Sequence, residues 1–338
     1  MVKVRYKKRT GQIVYAIVVA VLLVFAALVA MPVYGALLFL DERFEQEQHD
    51  SLDYGIESEH IVLTTEDGLN LAAWRTYAVG EDSDADPNAD TTAEGSAPAQ
   101  DAPKGTVIIL SGIQRPSVTE FFGYAQMLSQ HGWDALLIEK RARGLSEGES
   151  IGFGFTEWKD VQAGVNYLDA DPRAGDAPII VMGTSAGGST ALIAMAEVPR
   201  IDGVISISAY TTFTDAYVDN VVEMGVPRFI ANATRPFMNL FLDLRFGSEV
   251  AQKTPIAALG SRDGRPLLLM HSTEDTQVPF THHEQFIQQS ARGTDWPLYT
   301  FVREGNWHFV CYDRYVESPA NDTEFSQAIL DFLDRFEE

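Results

Sequence analysis

The sequence predicts an α/β protein, a mostly parallel sheet with helices on both faces. Two observations predict this, and a third adds a helical insertion. From residue 106 to the C-terminus, short apolar runs rich in β-branched residues alternate with helical patterns. An earlier pair of runs, His60 to Thr65 and Leu69 to Trp74, flanks Glu66-Asp67-Gly68 and reads as a hairpin that adds antiparallel strands at one sheet edge. More than fifty residues separate the strands ending at Ser208 and beginning at Leu267. They contain Pro227-Arg228-Phe229-Ile230 and Pro236 to Leu242, and are expected to form a small helical cap over 211–265.

In chain order, residues 1–11 form a basic tail, with Lys3, Arg5, Lys7, Lys8 and Arg9. Gln12 to Leu40 has no charged side chain and exceeds the roughly 20 residues that cross a bilayer. The run is longer than the apolar core of a signal peptide and ends without a small-residue cleavage site, so it predicts an uncleaved transmembrane anchor. Basic residues before it and Asp41-Glu42 after it place the main domain outside the cytoplasm. Residues 41–59 read as a stalk, and 60–338 as the main domain. Within that domain, 81–103 is Asp, Ala, Ser and Pro with few apolar residues, and is expected to be a disordered acidic loop, not a lid.

The remaining elements follow the alternation. Strands are expected at Thr106 to Leu110, Trp133 to Ile138, Ile179 to Met182, Val204 to Ser208, Leu267 to Met270 and Leu298 to Val302. Helices are expected at Val118 to Gln130, Thr156 to Leu168, Thr281 to Ala291 and Asp322 to Phe336. The chain carries 48 acidic and 25 basic residues, net −23. Without the five basic residues of the tail, 20 basic face 48 acidic, or −28, which excludes nucleic acid as a partner. The single cysteine, Cys311, excludes an intrachain disulfide.

Gly183-Thr184-Ser185-Ala186-Gly187-Gly188 lies between an apolar strand and a small-residue helix. Gly-x-Ser-x-Gly in that setting is a nucleophile elbow, whose turn is too tight for side chains two residues either side of the serine. A serine hydroxyl needs a base to take its proton, and a histidine base needs a carboxylate to orient it. Downstream, Asp275 follows the strand at Leu267 and His308 follows the strand at Leu298, so both fall at C-terminal strand ends. Glu274 points away from its neighbour, and Asp263 precedes its strand. His282 and His283 read as a solvated helix face, and His271 as a locally bonded strand end. The backbone N–H of Ala186 is one expected oxyanion donor, and that of Ile113, in Ser111-Gly112-Ile113-Gln114-Arg115-Pro116, is the other; this assignment could slip to Gln114. Gln114 and Arg115 are candidate substrate-binding residues, with local pairing as the alternative for Arg115.

With these pieces the chain resembles the α/β-hydrolase superfamily, and is most similar to membrane-anchored bacterial hydrolases of the serine-aminopeptidase-like groups. The resemblance rests on the elbow, on His271 to Pro279, on Asn306-Trp307-His308-Phe309 and on Arg141-Ala142-Arg143-Gly144-Leu145-Ser146-Glu147-Gly148. It covers residues 60–336 apart from the acidic loop. It departs at Ser111 and Ser272, where the family has histidine and glycine, and at Ala142, where it has glycine. The sequence shows no metal cluster, dinucleotide fingerprint or P-loop, so no cofactor or metal is expected. The resemblance implies a serine hydrolase. Its expected substrate is a small-molecule or lipid-like carboxylic ester, with a peptidase or amidase as the alternative. A non-catalytic surface protein that keeps the fold for binding is the third reading.

Overall fold

The computed structural model describes residues 3–40, 46–79, 102–113, 117–292 and 296–337. Its strands are β1 (Glu59–Thr64), β2 (Asn70–Thr76), β3 (Gly105–Leu110), β4 (Trp133–Ile138), β5 (Ile179–Thr184), β6 (Gly203–Ile207), β7 (Leu267–Ser272) and β8 (Leu298–Arg303). They form one sheet in the order β1-β2-β4-β3-β5-β6-β7-β8. Every pairing from β4 to β8 is parallel, and β2 is antiparallel to both neighbours. This is the expected hairpin at one edge.

Strands β3, β4, β5, β6 and β7 are buried along their whole length, whereas the edge strands β1 and β8 are partly exposed. A central parallel strand is covered on both faces, which is why these segments read as continuous apolar runs. Successive side chains alternate between two cores. Val107, Ile109, Leu137 and Met182 pack with Phe122 and Phe325 on one side; Ile108, Leu110, Leu136 and Val181 pack with Val161, Leu192 and Phe286 on the other.

The helices are α1 (Lys3–Leu40), α2 (Phe122–Ser129), α3 (Trp158–Asp169), α4 (Ala186–Glu197), α5 (Phe213–Glu223), α6 (Arg228–Ala233), α7 (Arg235–Phe246), α8 (Ser248–Ala251), α9 (Pro255–Ala258), α10 (Thr281–Ser290) and α11 (Thr323–Leu333). Helices α5 to α9 lie between β6 and β7, in the stretch expected to be a cap. Helix α1 contains one segment, Gly11–Leu38, long and apolar enough to cross a membrane. The expected helix over Val118 to Gln130 is split. Residues Val118–Phe121 form a 3-10 turn, fixed by a capping box between Ser117 and Glu120, before α2 begins.

Two expectations change. The second half of the expected stalk lies on the body. Ser51 and Ile56 are buried, Tyr54 packs its ring against Phe122, and the Gln48 amide donates to Glu139 Oε1 at 2.9 Å. Tyr54 and Ile56 gain more from burial than the acidic composition of the stretch suggests. His282 and His283 are not solvated either: both are buried, at 1% and 4% exposure, because α10 turns its N-terminal face onto the loops after β6 and β7. The acidic loop at 81–103 lies almost wholly outside the described residues.

Candidate active site

Ser185 sits between β5 and α4 with φ 56° and ψ −121°. A non-glycine residue pays for such a backbone, and the surroundings hold it there. The Ser185 N–H donates to Ile207 O at 2.7 Å, and Ser185 O accepts from Ser189 N–H at 3.0 Å. A Cβ on Gly183 would lie 2.3 Å from the Gly187 backbone, and one on Gly187 would lie 2.5 Å from the carbonyl oxygens of Leu110 and Ser111. Both glycines are therefore steric requirements of the turn. Ala186 is the first residue of α4, so its N–H is among those left without an intrahelical partner.

Asp275 and His308 are brought together. His308 Nδ1 lies 2.8 Å from Asp275 Oδ2, with both side chains nearly or fully buried. Asp275 Oδ1 accepts the N–H groups of Gln277 at 2.9 Å and Val278 at 3.0 Å. Burial pushes the Asp275 carboxyl up, but the His308 hydrogen bond and charge and the Val278 N–H outweigh it and hold it below its ordinary value. The result is an ionised, immobilised carboxylate behind the imidazole. Among the described residues the Ser185 hydroxyl makes no hydrogen bond; such contacts often tighten only when substrate binds.

Backbone contacts lace the two loops together. Thr273 N–H donates to Arg303 O and Glu274 N–H to Gly305 O, each at 2.9 Å. Ser272 Oγ donates to Trp307 O at 2.7 Å and accepts from Trp307 N–H at 3.1 Å. The serine that replaces the expected glycine thus grips the residue next to His308. A second of the three departures is also local: Ala142 has φ 57°, the left-handed conformation that a glycine takes without strain.

Ile113 is half-buried, and its loop is held from behind by two cations. Lys140 Nζ donates to Gly112 O at 2.9 Å, and Arg143 Nε donates to Ile113 O at 2.6 Å. Gln114 and Arg115 lie outside the described residues. Lys140 and Arg143 are functional candidates that inspection of the sequence missed; the only signal was the Arg-x-Arg-Gly loop that contributed to the resemblance. In the same loop, Arg141 joins Asp160 at 2.8 Å and Asp67 at 2.8 Å, tying β4 to α3 and to the hairpin turn.

Beneath the Asp275 loop lies a histidine cluster. His271 Nε2 donates to Val278 O at 2.8 Å. His283 stacks on Phe280 with ring centroids 5.1 Å apart. Burial, with a smaller contribution from His271, depresses His283 from 6.5 to about 4. Between those values the unfolded chain binds a proton that the folded chain refuses. Stability is therefore full above pH 6.5 and falls toward pH 4, by about 3 kcal/mol. Denaturant unfolding across this range should show a shallower pH slope for His283→Gln than for the parent; equal slopes would refute the assignment.

The fold and this arrangement define the class. The chain has the α/β-hydrolase fold. The family model of the serine aminopeptidases (S33) matches residues 101–255, a stretch that contains Ser185 but neither Asp275 nor His308. At the level of activity this supports a serine hydrolase, esterase-like or aminopeptidase-like. The uncharacterized protein YqkD of Bacillus subtilis (strain 168) is 25% identical over 233 residues, 68% of this chain and 71% of that one. An esterase of Pyrococcus furiosus shares the fold at a TM-score of 0.62 and 20% identity, covering 88% of this chain and 99% of its own. An acylaminoacyl peptidase of Pyrococcus horikoshii does so at 0.55 and 16%, covering 83% of this chain and 42% of its own.

Proposed function

We propose that this protein is a membrane-anchored serine hydrolase that cleaves a carboxylic ester through Ser185, His308 and Asp275, with its catalytic domain outside the cytoplasm. The observation that carries the reading is the 2.8 Å pairing of His308 with the buried Asp275, on loops that share the C-terminal sheet edge with the Ser185 elbow. In the acylation step, Ser185 Oγ attacks the ester carbonyl carbon while His308 Nε2 takes its proton. The oxyanion is received by the N–H groups of Ala186 and Ile113. Collapse of the tetrahedral intermediate breaks the bond to the alkoxide, which leaves with the proton from His308. Water then repeats the sequence on the acyl-enzyme, releasing the acid and restoring Ser185.

An acyl substrate is favoured by the surroundings of the donors. Ala186, Ile113 and Val278 belong to one apolar cluster with Phe153, Phe213, Tyr217, Met238 and Leu242 of the cap and its approaches. An amide is the second reading, since the same groups cleave it when His308 protonates the leaving amine. Paired panels of fatty-acyl and aminoacyl chromogenic substrates separate the two by their kcat/KM.

The class and topology are tested together by a membrane-impermeant fluorophosphonate probe on intact cells. Wild type is expected to be labelled and Ser185→Ala unlabelled. Labelling only after lysis would keep the enzyme and reverse its orientation, and a folded wild type that never labels would refute the reading.

A further inference from the structure

We infer that the cap is itself a membrane-docking surface: α7 and the α5–α6 turn sit in the same bilayer leaflet as the outer half of α1. The inference rests on the reading of α1 as an anchor. It starts from where α1 touches the cap. At its C-terminal end, Ala36 and Leu40 are buried in the cap's apolar cluster, and Leu40 O accepts the Ile151 N–H at 3.2 Å. The contact does not stop there. The Gly35 backbone lies against the Tyr217 ring, and Phe25 meets Phe237 of α7 edge-on, with centroids 5.5 Å apart.

The position of Phe25 sets a depth. The apolar span begins at Gly11. A hydrocarbon layer needs about 20 residues of helix, so even the placement that inserts α1 least, with the layer starting at Gly11, has its far boundary near Ala30. Phe25 is then five residues inside the boundary, or about 8 Å at 1.5 Å per residue. Phe237 is carried to that depth with it. Even this shallowest placement reaches the roughly 5–10 Å at which interfacial amphipathic helices settle.

The cap surface at this level suits lipid. On α7, Phe237, Leu240, Phe241 and Leu244 recur at the three- and four-residue spacing of one helix face, while Met238 and Leu242 are buried on the other. Leu240 is 54% exposed and Leu244 79%. In the α5–α6 turn and the start of α6, Met224 is 84% exposed and Phe229 75%. Asp243 and Arg245 flank the stripe without interrupting it. The α7 stripe adjoins α1 through Phe237 and Phe25, so the bilayer that covers α1 covers it too, and Met224 and Phe229, with Glu223 and Arg228 beside them, extend the apolar exposure of the same cap. Leu40, Met238 and Leu242 share one apolar cluster with Ala186, so the part of the cap that meets the leaflet is packed directly against the candidate oxyanion donor.

The test uses the full chain in phosphatidylcholine vesicles, with single environment-sensitive labels in a Cys311→Ala background. Leu244→Cys and Phe229→Cys report on the cap, Val21→Cys on the anchor, and Asp202→Cys on the sheet edge opposite the strand C-termini. Leu244, Phe229 and Val21 are exposed and Asp202 is half-exposed, which limits damage to folding. Labels at the first three positions are expected to lose emission to lipid bearing a doxyl group on its acyl chain and to resist aqueous iodide, with Asp202→Cys showing the reverse. Doxyl quenching of Val21→Cys alone, with iodide reaching the cap labels, overturns the docking surface and leaves the anchor. Failure of Val21→Cys to respond overturns both. Cap labels shielded from iodide yet untouched by doxyl lipid would mean that a second copy, not lipid, covers the face.

Discussion

Ser185→Ala and His308→Ala are each expected to lower kcat about 10⁶-fold, with the double variant falling no further, and Asp275→Asn about 10⁴-fold. The non-additivity follows from the shared step. Without a base the hydroxyl is a poor nucleophile, and without the hydroxyl the base has nothing to activate. The smaller loss for Asp275 follows from its contacts. Its Oδ2 fixes the proton of His308 on Nδ1, leaving Nε2 free to face the serine. An asparagine that kept the two backbone bonds at Oδ1 would turn its amide N–H₂ toward Nδ1. The imidazole would then carry its proton on Nε2, where it cannot accept one. None of these residues holds the ground-state ester, so KM should change little. His271 offers no rescue: its Nε2 lies 3.8 Å from Asp275 Oδ2, but it is committed to Val278 O and burial depresses its basicity. Steady-state kinetics on one chromogenic acyl ester decide the matter. Multiplicative losses in the double variant, or an Asp275→Asn enzyme with parental kcat, would dismantle the proposed triad.

Much of this architecture is legible in the chain because it depends on local pattern. The central strands are buried on both faces and so read as unbroken apolar runs, and the elbow glycines mark places where a Cβ would meet backbone within 2.5 Å. What the sequence hides is carried by long-range pairing. His282 looks like half of an exposed His-His pair; in the structure it bridges Thr211 Oγ1 at 2.9 Å and Asp219 Oδ2 at 3.1 Å, joining α10 to the cap. The grip of Ser272 on Trp307 spans 35 residues and is directed at backbone atoms, which carry no side-chain signature. From Gln12 to Leu40, α1 reads as lipid-facing because it carries no charge, yet Ala36 and Leu40 are buried in protein.

Lys140→Met is expected to lower kcat about 10²-fold with little change in KM, and Arg143→Met to act the same way. Both side chains act through the loop. Each holds a carbonyl on the loop that presents the Ile113 N–H, Lys140 through Gly112 O and Arg143 through Ile113 O, and each is almost wholly buried. The charge on the oxyanion develops only in the transition state, so a donor that drifts is felt in kcat before it is felt in binding. Losing one well-placed donor costs about 10²- to 10³-fold, and a loosened one should sit at the lower end. A purely structural role is distinguished by pH. Burial, opposed by Glu157, lowers Lys140 from 10.5 to about 8. The ammonium is therefore present below that value and lost as pH rises through it, which weakens the hold on Gly112 O. Wild-type kcat should decline above pH 8, and the decline should be absent in Lys140→Met. A variant that keeps the wild-type alkaline limb, or one whose loss appears in KM instead of kcat, would show that Lys140 only stabilises the fold.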